Sequence, residues 1–93
     1  MSIQSFACRR TQHLFLGIPQ QRFARIETVA MRKLAMLHAA ASLVDLHVPP
    51  ANRLEALKGE RSGQHSIRIN DQYRVCFVWT GCGPAQVEIV DYH

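Results

Sequence analysis

The sequence predicts an α+β fold in which N-terminal helices pack on one face of an antiparallel β-sheet. In the first half apolar residues recur at three- and four-residue steps; after Val48-Pro49-Pro50 they recur at two-residue steps. A helical period followed by a strand period, without repeated alternation between them, describes helices segregated to one side of a sheet rather than a parallel α/β architecture. With 93 residues the chain supports one core, so residues 1–93 read as a single domain.

Residues 2–6 alternate Ile3 and Ser5 against Gln4 and Phe6 and read as an edge strand. Residues 11–16 form a short helix that Gly17-Ile18-Pro19 breaks. Over residues 21–41, Phe23, Ile26, Ala30, Leu34, Leu37 and Ala41 line one face of a longer helix. Arg22, Arg25, Arg32 and Lys33 fall mostly off that stripe and give the helix a basic outer face. Ser42 and Asp45 have the spacing of a helix start and add a further turn or two through Leu46. The two prolines then force extended geometry.

In the second half, residues 54–57 supply a strand before a turn spanning Gly59 to Gly63. His65, Ile67 and Ile69 alternate with Ser66, Arg68 and Asn70; Tyr73, Val75, Phe77 and Trp79 alternate with Arg74, Cys76 and Val78. Both read as half-buried strands. Asn70-Asp71-Gln72 and Thr80-Gly81-Cys82-Gly83-Pro84 are turn sequences, and residues 86–92 complete the meander.

A content of 47% hydrophobic and 19% charged residues excludes a disordered chain. The formal net charge of +4 and a pI near 9.4 favour an anionic partner. The excess is uneven: residues 1–48 hold six bases against two acids, and residues 49–93 hold five against five. Cys8, Cys76 and Cys82 lack C-x-x-C spacing, and the five histidines lack the i, i+4 spacing of helical ligands, so neither metal nor cofactor is expected. No apolar run is long enough to span a bilayer and no secretory leader is read at the start, which makes the cytoplasm the expected location and excludes a membrane partner.

Side chains two apart on a strand share a face. Arg68 and Arg74 therefore project from neighbouring strands onto one exposed sheet face, with Lys58 and Tyr92 as candidates for its border. The last residues, Asp91-Tyr92-His93, place three groups able to carry protons or accept hydrogen bonds directly after a β-branched stretch. From these residues alone, a solvated sheet face with a polar strand end and a functional site are both open readings. Cleaving RNA by attack of a 2′-oxygen on the adjacent phosphate needs a base, cations for the charge gathering on the phosphate, and an acid for the departing 5′-oxygen. Such a face offers groups for each.

Three segments carry a resemblance: residues 52–59 (Asn-Arg-Leu-Glu-Ala-Leu-Lys-Gly), residues 63–74 (Gly-Gln-His-Ser-Ile-Arg-Ile-Asn-Asp-Gln-Tyr-Arg) and the closing Val-Glu-Ile-Val-Asp-Tyr-His. Together with Arg32-Lys33-Leu34-Ala35-Met36-Leu37, they resemble the HigB toxins, the plasmid-maintenance killer family within the RelE-like superfamily. The resemblance implies a RelE-like, microbial-ribonuclease-like fold and a toxin that cuts translated mRNA in the ribosomal A site. It also implies neutralisation by a HigA-like antitoxin with a helix-turn-helix domain, so that operator DNA is met only through the antitoxin. Carried over by position, it implies catalytic roles for Lys58, Arg74, Asp91, Tyr92 and His93, and sets Gln72 where some members have a functional asparagine; Arg53, Glu55, Arg68 and Gln72 are then expected to bind RNA. Arg22, Arg25, Arg32 and Lys33 are then expected to hold ribosomal RNA.

This sequence departs from the family pattern at Glu55, where some HigB toxins carry histidine. Glu55 is read either as a carboxylate raised by burial or as a partner of Arg53. It also leaves open a non-catalytic module acting with the antitoxin in transcriptional control, beside a gyrase-targeting relative. Near the start, Cys8-Arg9-Arg10-Thr11 lacks an acidic residue before the threonine.

Overall fold

A computed structural model describes residues 2–92. Two helices, α1 (Arg9–Phe15) and α2 (Glu27–Ala39), cover one face of a four-stranded antiparallel sheet of β1 (Glu55–Ala56), β2 (His65–Arg68), β3 (Tyr73–Thr80) and β4 (Gly83–Asp91). The strands lie in chain order, as successive hairpins require. The expected α+β architecture is the one observed.

Helix α1 turns Thr11 and Leu14 inward. It closes in a Schellman arrangement: Gly17 takes a φ of 87°, the Gly17 amide donates to Leu14 O, and the Ile18 amide donates to His13 O. Glycine suits that left-handed position because it has no Cβ. In α2 the buried residues are Ala30, Lys33, Leu34 and Leu37. Glu27 in its first turn complements the positive end of the helix.

The expected helix over residues 21–41 begins late. Gln21–Phe23 forms a 3-10 turn, and Ile26 leaves helical geometry at φ −112°, ψ 4°. Phe23 and Ile26 still reach the core, because a three-residue step returns to the same face in a 3-10 turn as well. Arg22 and Arg25 thus stand on an irregular segment before α2. Residues 43–47 form another 3-10 turn, with the Asp45 carboxylate accepting from the Ala41 and Ser42 amides. After the prolines the chain does not stay extended: Pro50–Asn52 makes a further 3-10 turn, and Arg53 turns left-handed at φ 46°, ψ 53°.

The expected N-terminal edge strand is an extended segment with one parallel bridge, Phe6 to Val87. The Val87 amide donates to Ser5 O and the Ala7 amide donates to Val87 O, so this segment covers part of the outer edge of β4. The Thr11 hydroxyl then accepts from the buried Ile89 amide at 3.0 Å. In β4, Gln86 adopts φ 51° where the β3–β4 register shifts, the geometry of a bulge.

Ile67, Val75, Phe77 and Val87 from the sheet meet Leu14, Phe23, Leu34 and Leu37 from the helical half in the core. The two-residue alternation does not end in a wet opposite face throughout. Ser66 and Cys76, both expected outside, are completely buried. Side chains that fold over them form the candidate site.

Candidate functional site

Strand register builds the site in two rows on the face away from the helices. Glu55, Ser66, Cys76 and Glu88 are successive partners across β1 to β4, and Arg68, Arg74 and Val90 form the adjoining row. Arg68 and Arg74 are thus directly opposed. Like charges in that position repel, and each guanidinium is drawn to a different partner. Arg68 pairs with Asp71 in the β2–β3 turn. Asn70 shapes this turn by accepting from the Gln72 and Tyr73 amides at 2.9 and 2.7 Å.

Arg74 is held from several sides. Its Nε donates to Ser66 Oγ at 2.8 Å and one terminal nitrogen donates to Arg53 O at 2.7 Å. The other lies 3.6 Å from the Glu55 carboxylate, and only 14% of the side chain is exposed. The left-handed backbone of Arg53 presents that carbonyl, so this residue contributes through its main chain while its side chain is exposed. Glu55 pairs with Arg74 rather than Arg53. Its side chain is 53% exposed, which removes the expectation of a buried carboxylate.

Tyr92 extends the β3–β4 pairing by one residue, its amide donating to Gln72 O at 2.6 Å. Its ring lies 6.0 Å from the Arg74 guanidinium carbon, and its hydroxyl lies 3.8 Å from Cys76 Sγ. Burial and the Cys76 contact raise the phenol above its ordinary 10.0, against the pull of Arg61 and Arg74. The phenol is therefore protonated at neutral pH and available as a proton donor. Cys76 is likewise raised, chiefly by burial, so its thiol is a poor nucleophile.

Asp91 pairs in register with Tyr73, which sets it on the opposite side of the pleat from Tyr92. It accepts from Gln72 Nε2 at 3.0 Å. Lys58 is exposed before the Gly59–Arg61 turn, and its side chain makes no hydrogen bond or ion pair among the described residues. His93 lies outside the described residues.

The expected basic helical surface needs one correction. Arg22, Arg25 and Arg32 are exposed, but Lys33 is 6% exposed and donates to Asn52 Oδ1 at 2.5 Å. Asn52, completely buried, donates in turn to Leu46 O at 3.1 Å. Lys33 therefore ties α2 to the turn before β1 and is withdrawn from the surface. Desolvation lowers its pKa from 10.5, with Arg32 and Arg68 adding repulsion.

Sequence reasoning missed Arg61, Ser66, Cys76 and Glu88. Arg61 donates to Gln64 Oε1 at 3.0 Å and Glu88 Oε1 at 3.1 Å, which lays it over the β4 end of the Glu55–Glu88 row. Its signal was an arginine between the two turn glycines; that of Ser66 and Cys76 was their place on the same alternating face as Arg68 and Arg74. Among the described residues no group of three His, Cys, Asp or Glu side chains is arranged to hold a metal ion.

Residues 17–93 match the family described as the RelE-like toxin of the type II toxin-antitoxin system HigB. Toxin HigB-1 of Vibrio cholerae serotype O1 is 50% identical over 54 residues, covering 58% of this chain and 57% of that protein. An uncharacterized protein of Haemophilus influenzae is 45% identical over 49 residues, covering 53% of this chain and 48% of that protein. The aligned segments span about half the length of each of these relatives.

Proposed function

The chain belongs to the RelE-like HigB toxins of type II toxin-antitoxin systems, and from that premise we propose that it is a ribosome-dependent endoribonuclease acting on translated mRNA. The observation that carries this reading is the fixed Arg74 guanidinium, held by Ser66 Oγ and Arg53 O above the Tyr92 ring. A preorganised cation is what a phosphate gathering negative charge requires, because its orientation is already set before the charge develops. Arg74 stabilises the transition-state phosphate, and exposed Lys58 supplies a second cation. Tyr92, protonated at neutral pH, donates toward the departing 5′-oxygen or orients the phosphate. Asp91 and His93 complete the functional terminus, and Arg53, Arg68 and Gln72 position RNA. No metal ion is required by this chemistry.

The antitoxin partner is proposed to be of HigA type, with a helix-turn-helix domain that brings the complex to operator DNA. The toxin is proposed to act in the cytoplasm, on ribosomes. No helix among the described residues is long and apolar enough to cross a membrane.

One observation favours a second reading, a non-catalytic partner of the antitoxin. Arg74 is engaged by protein groups on several sides, including Glu55 at the position where some HigB toxins carry histidine. Inducing the chain in cells and mapping new 5′ ends separates the two. Nuclease action produces ends inside translated messages that vanish in Arg74→Ala; a binding module or a gyrase-directed toxin leaves those messages uncut.

A further inference from the structure

Three shallow depressions run together around the outer end of β4. One is lined by Arg22, Arg25, Gln72 and Tyr73, the next by Arg10, Arg22, Arg61 and Asp91, and the last by Arg9, Arg10 and His13. Arg22 belongs to the first two and Arg10 to the last two, so neighbouring depressions adjoin along one basic path, the groove. The N-terminal segment covers β4 as far as Val87, and Thr11 takes the Ile89 amide. Beyond that cover, Val90 and Asp91 line the groove.

The groove holds five arginines and two carboxylates. Glu88 is engaged by Arg61 at 3.1 Å and Asp91 by Gln72 at 3.0 Å. The side chains of Arg9, Arg10, Arg22 and Arg25 are exposed and make no hydrogen bond or ion pair among the described residues. Five arginines against two carboxylates leave the path with an excess of positive charge, which raises the local potential and concentrates an anion there. The groove also adjoins the candidate site. Gln72, at its first depression, accepts the Tyr92 amide through its main chain. Arg61, in its second, engages Glu88, the row partner of the cysteine that meets the Tyr92 hydroxyl.

Resting on the reading of the Arg74–Tyr92 face as an RNA-cleaving site, we infer that this groove carries the single RNA strand flanking the cut, with backbone phosphates on Arg22 and Arg10. A path that bends around a strand edge suits a flexible single strand better than a stiff duplex. Arginine contacts to phosphate fix position without reading sequence, so the groove holds any message while discrimination stays with groups nearer the cut. Four of the six bases in the first half of the chain, Arg9, Arg10, Arg22 and Arg25, then face the substrate strand.

The test uses a fluorescent, single-stranded 2′-O-methyl RNA dodecamer and the matching trimer, which lack the nucleophile for cleavage. Binding to the full chain is followed by anisotropy over a salt series. Each phosphate contact on a single strand contributes a log–log salt slope of about 0.7, so Arg10→Gln/Arg22→Gln should lower the dodecamer slope by about 1.4. Trimer binding should be unchanged. Arg32→Gln, which removes an exposed charge outside the groove, should leave the dodecamer slope as in the parent. Thermal melting should show all variants folded, since these side chains are exposed.

Equal affinity of the parent for trimer and dodecamer would overturn the inference. So would an unchanged slope in the double variant, or an equal loss from Arg32→Gln, which would mark bulk charge alone. A double variant that keeps the dodecamer but loses message-free ribosomes would assign the groove to ribosomal RNA instead. Because these probes cannot be cut, a lowered slope together with uncut cellular messages would uphold the groove and reject the nuclease reading.

Discussion

Arg74 Nε donates to the hydroxyl of Ser66, its diagonal neighbour across the β2–β3 pair, at 2.8 Å, and Ser66 is completely buried. A serine on the supposedly wet side of a strand therefore sets the orientation of the candidate phosphate-binding cation. Ser66→Ala should leave the guanidinium able to rotate. A hydrogen bond to a charged group is worth about 1.5–3 kcal/mol, so cleavage should fall by about 10- to 100-fold with the fold retained. Ribosome-programmed cleavage and a denaturant melt on the same preparation check this; full activity would release Ser66 from a positioning role.

Asn52 joins the helical half to the strands that carry the site, accepting from Lys33 and donating to Leu46 O. Asn52→Ala removes both contacts from a buried place, and losing a hydrogen bond to a charged group costs about 1.5–3 kcal/mol. The variant should unfold at markedly lower denaturant. A shift in midpoint within error of zero would show that water or a rearranged Lys33 replaces the asparagine.

The same buried ammonium gives a pH signature. Desolvation lowers the Lys33 pKa from 10.5 in the folded chain. Between that lowered value and 10.5 the unfolded chain binds more protons, so stability rises with pH across the window. Below the window both states are protonated and the burial penalty is complete; above it both are neutral and the penalty is gone. Subtracting the stability–pH curve of Lys33→Met from that of the parent should isolate this rise, and a flat difference through the window would contradict it.

Tyr92 should act in its protonated form. Its phenol is raised above 10.0, so cleavage should show no loss attributable to phenol ionisation between pH 7 and pH 9, a range set by the ordinary tyrosine value of about 10. Tyr92→Phe keeps the ring beneath Arg74 and removes only the hydroxyl. A general acid contributes about 100- to 10,000-fold, and a loss in that range is expected, with RNA affinity little changed. Parent-like cleavage by the phenylalanine variant would leave the ring as a platform only.

Much of this arrangement is legible in the residues. The switch from a helical to a two-residue period gives the layers, and alternation puts Arg68 and Arg74 on one face, where register opposes them. Burial on that same face was hidden, because Ser66 and Cys76 are covered by long side chains from elsewhere in the chain. Lys33 misled for a related reason. Its place beside the apolar stripe suggested solvent, whereas the turn at Pro50–Asn52 brings Asn52 to meet it. The late start of α2 was equally concealed, since Phe23 and Ile26 keep a three-residue step through 3-10 and α geometry alike.

The central claim is that Arg74 stabilises a reacting phosphate on ribosome-bound message. Single-turnover cleavage of mRNA in the A site of programmed ribosomes, comparing parent, Arg74→Lys and Arg74→Ala, tests it most directly. Loss of one preorganised charge-stabilising group costs about 100- to 1000-fold. Arg74→Ala should lose at least that much, and Arg74→Lys should recover only part, since lysine cannot hold Ser66 Oγ and Arg53 O with the same planar fork. Cleavage by Arg74→Ala at the parent rate would contradict the account.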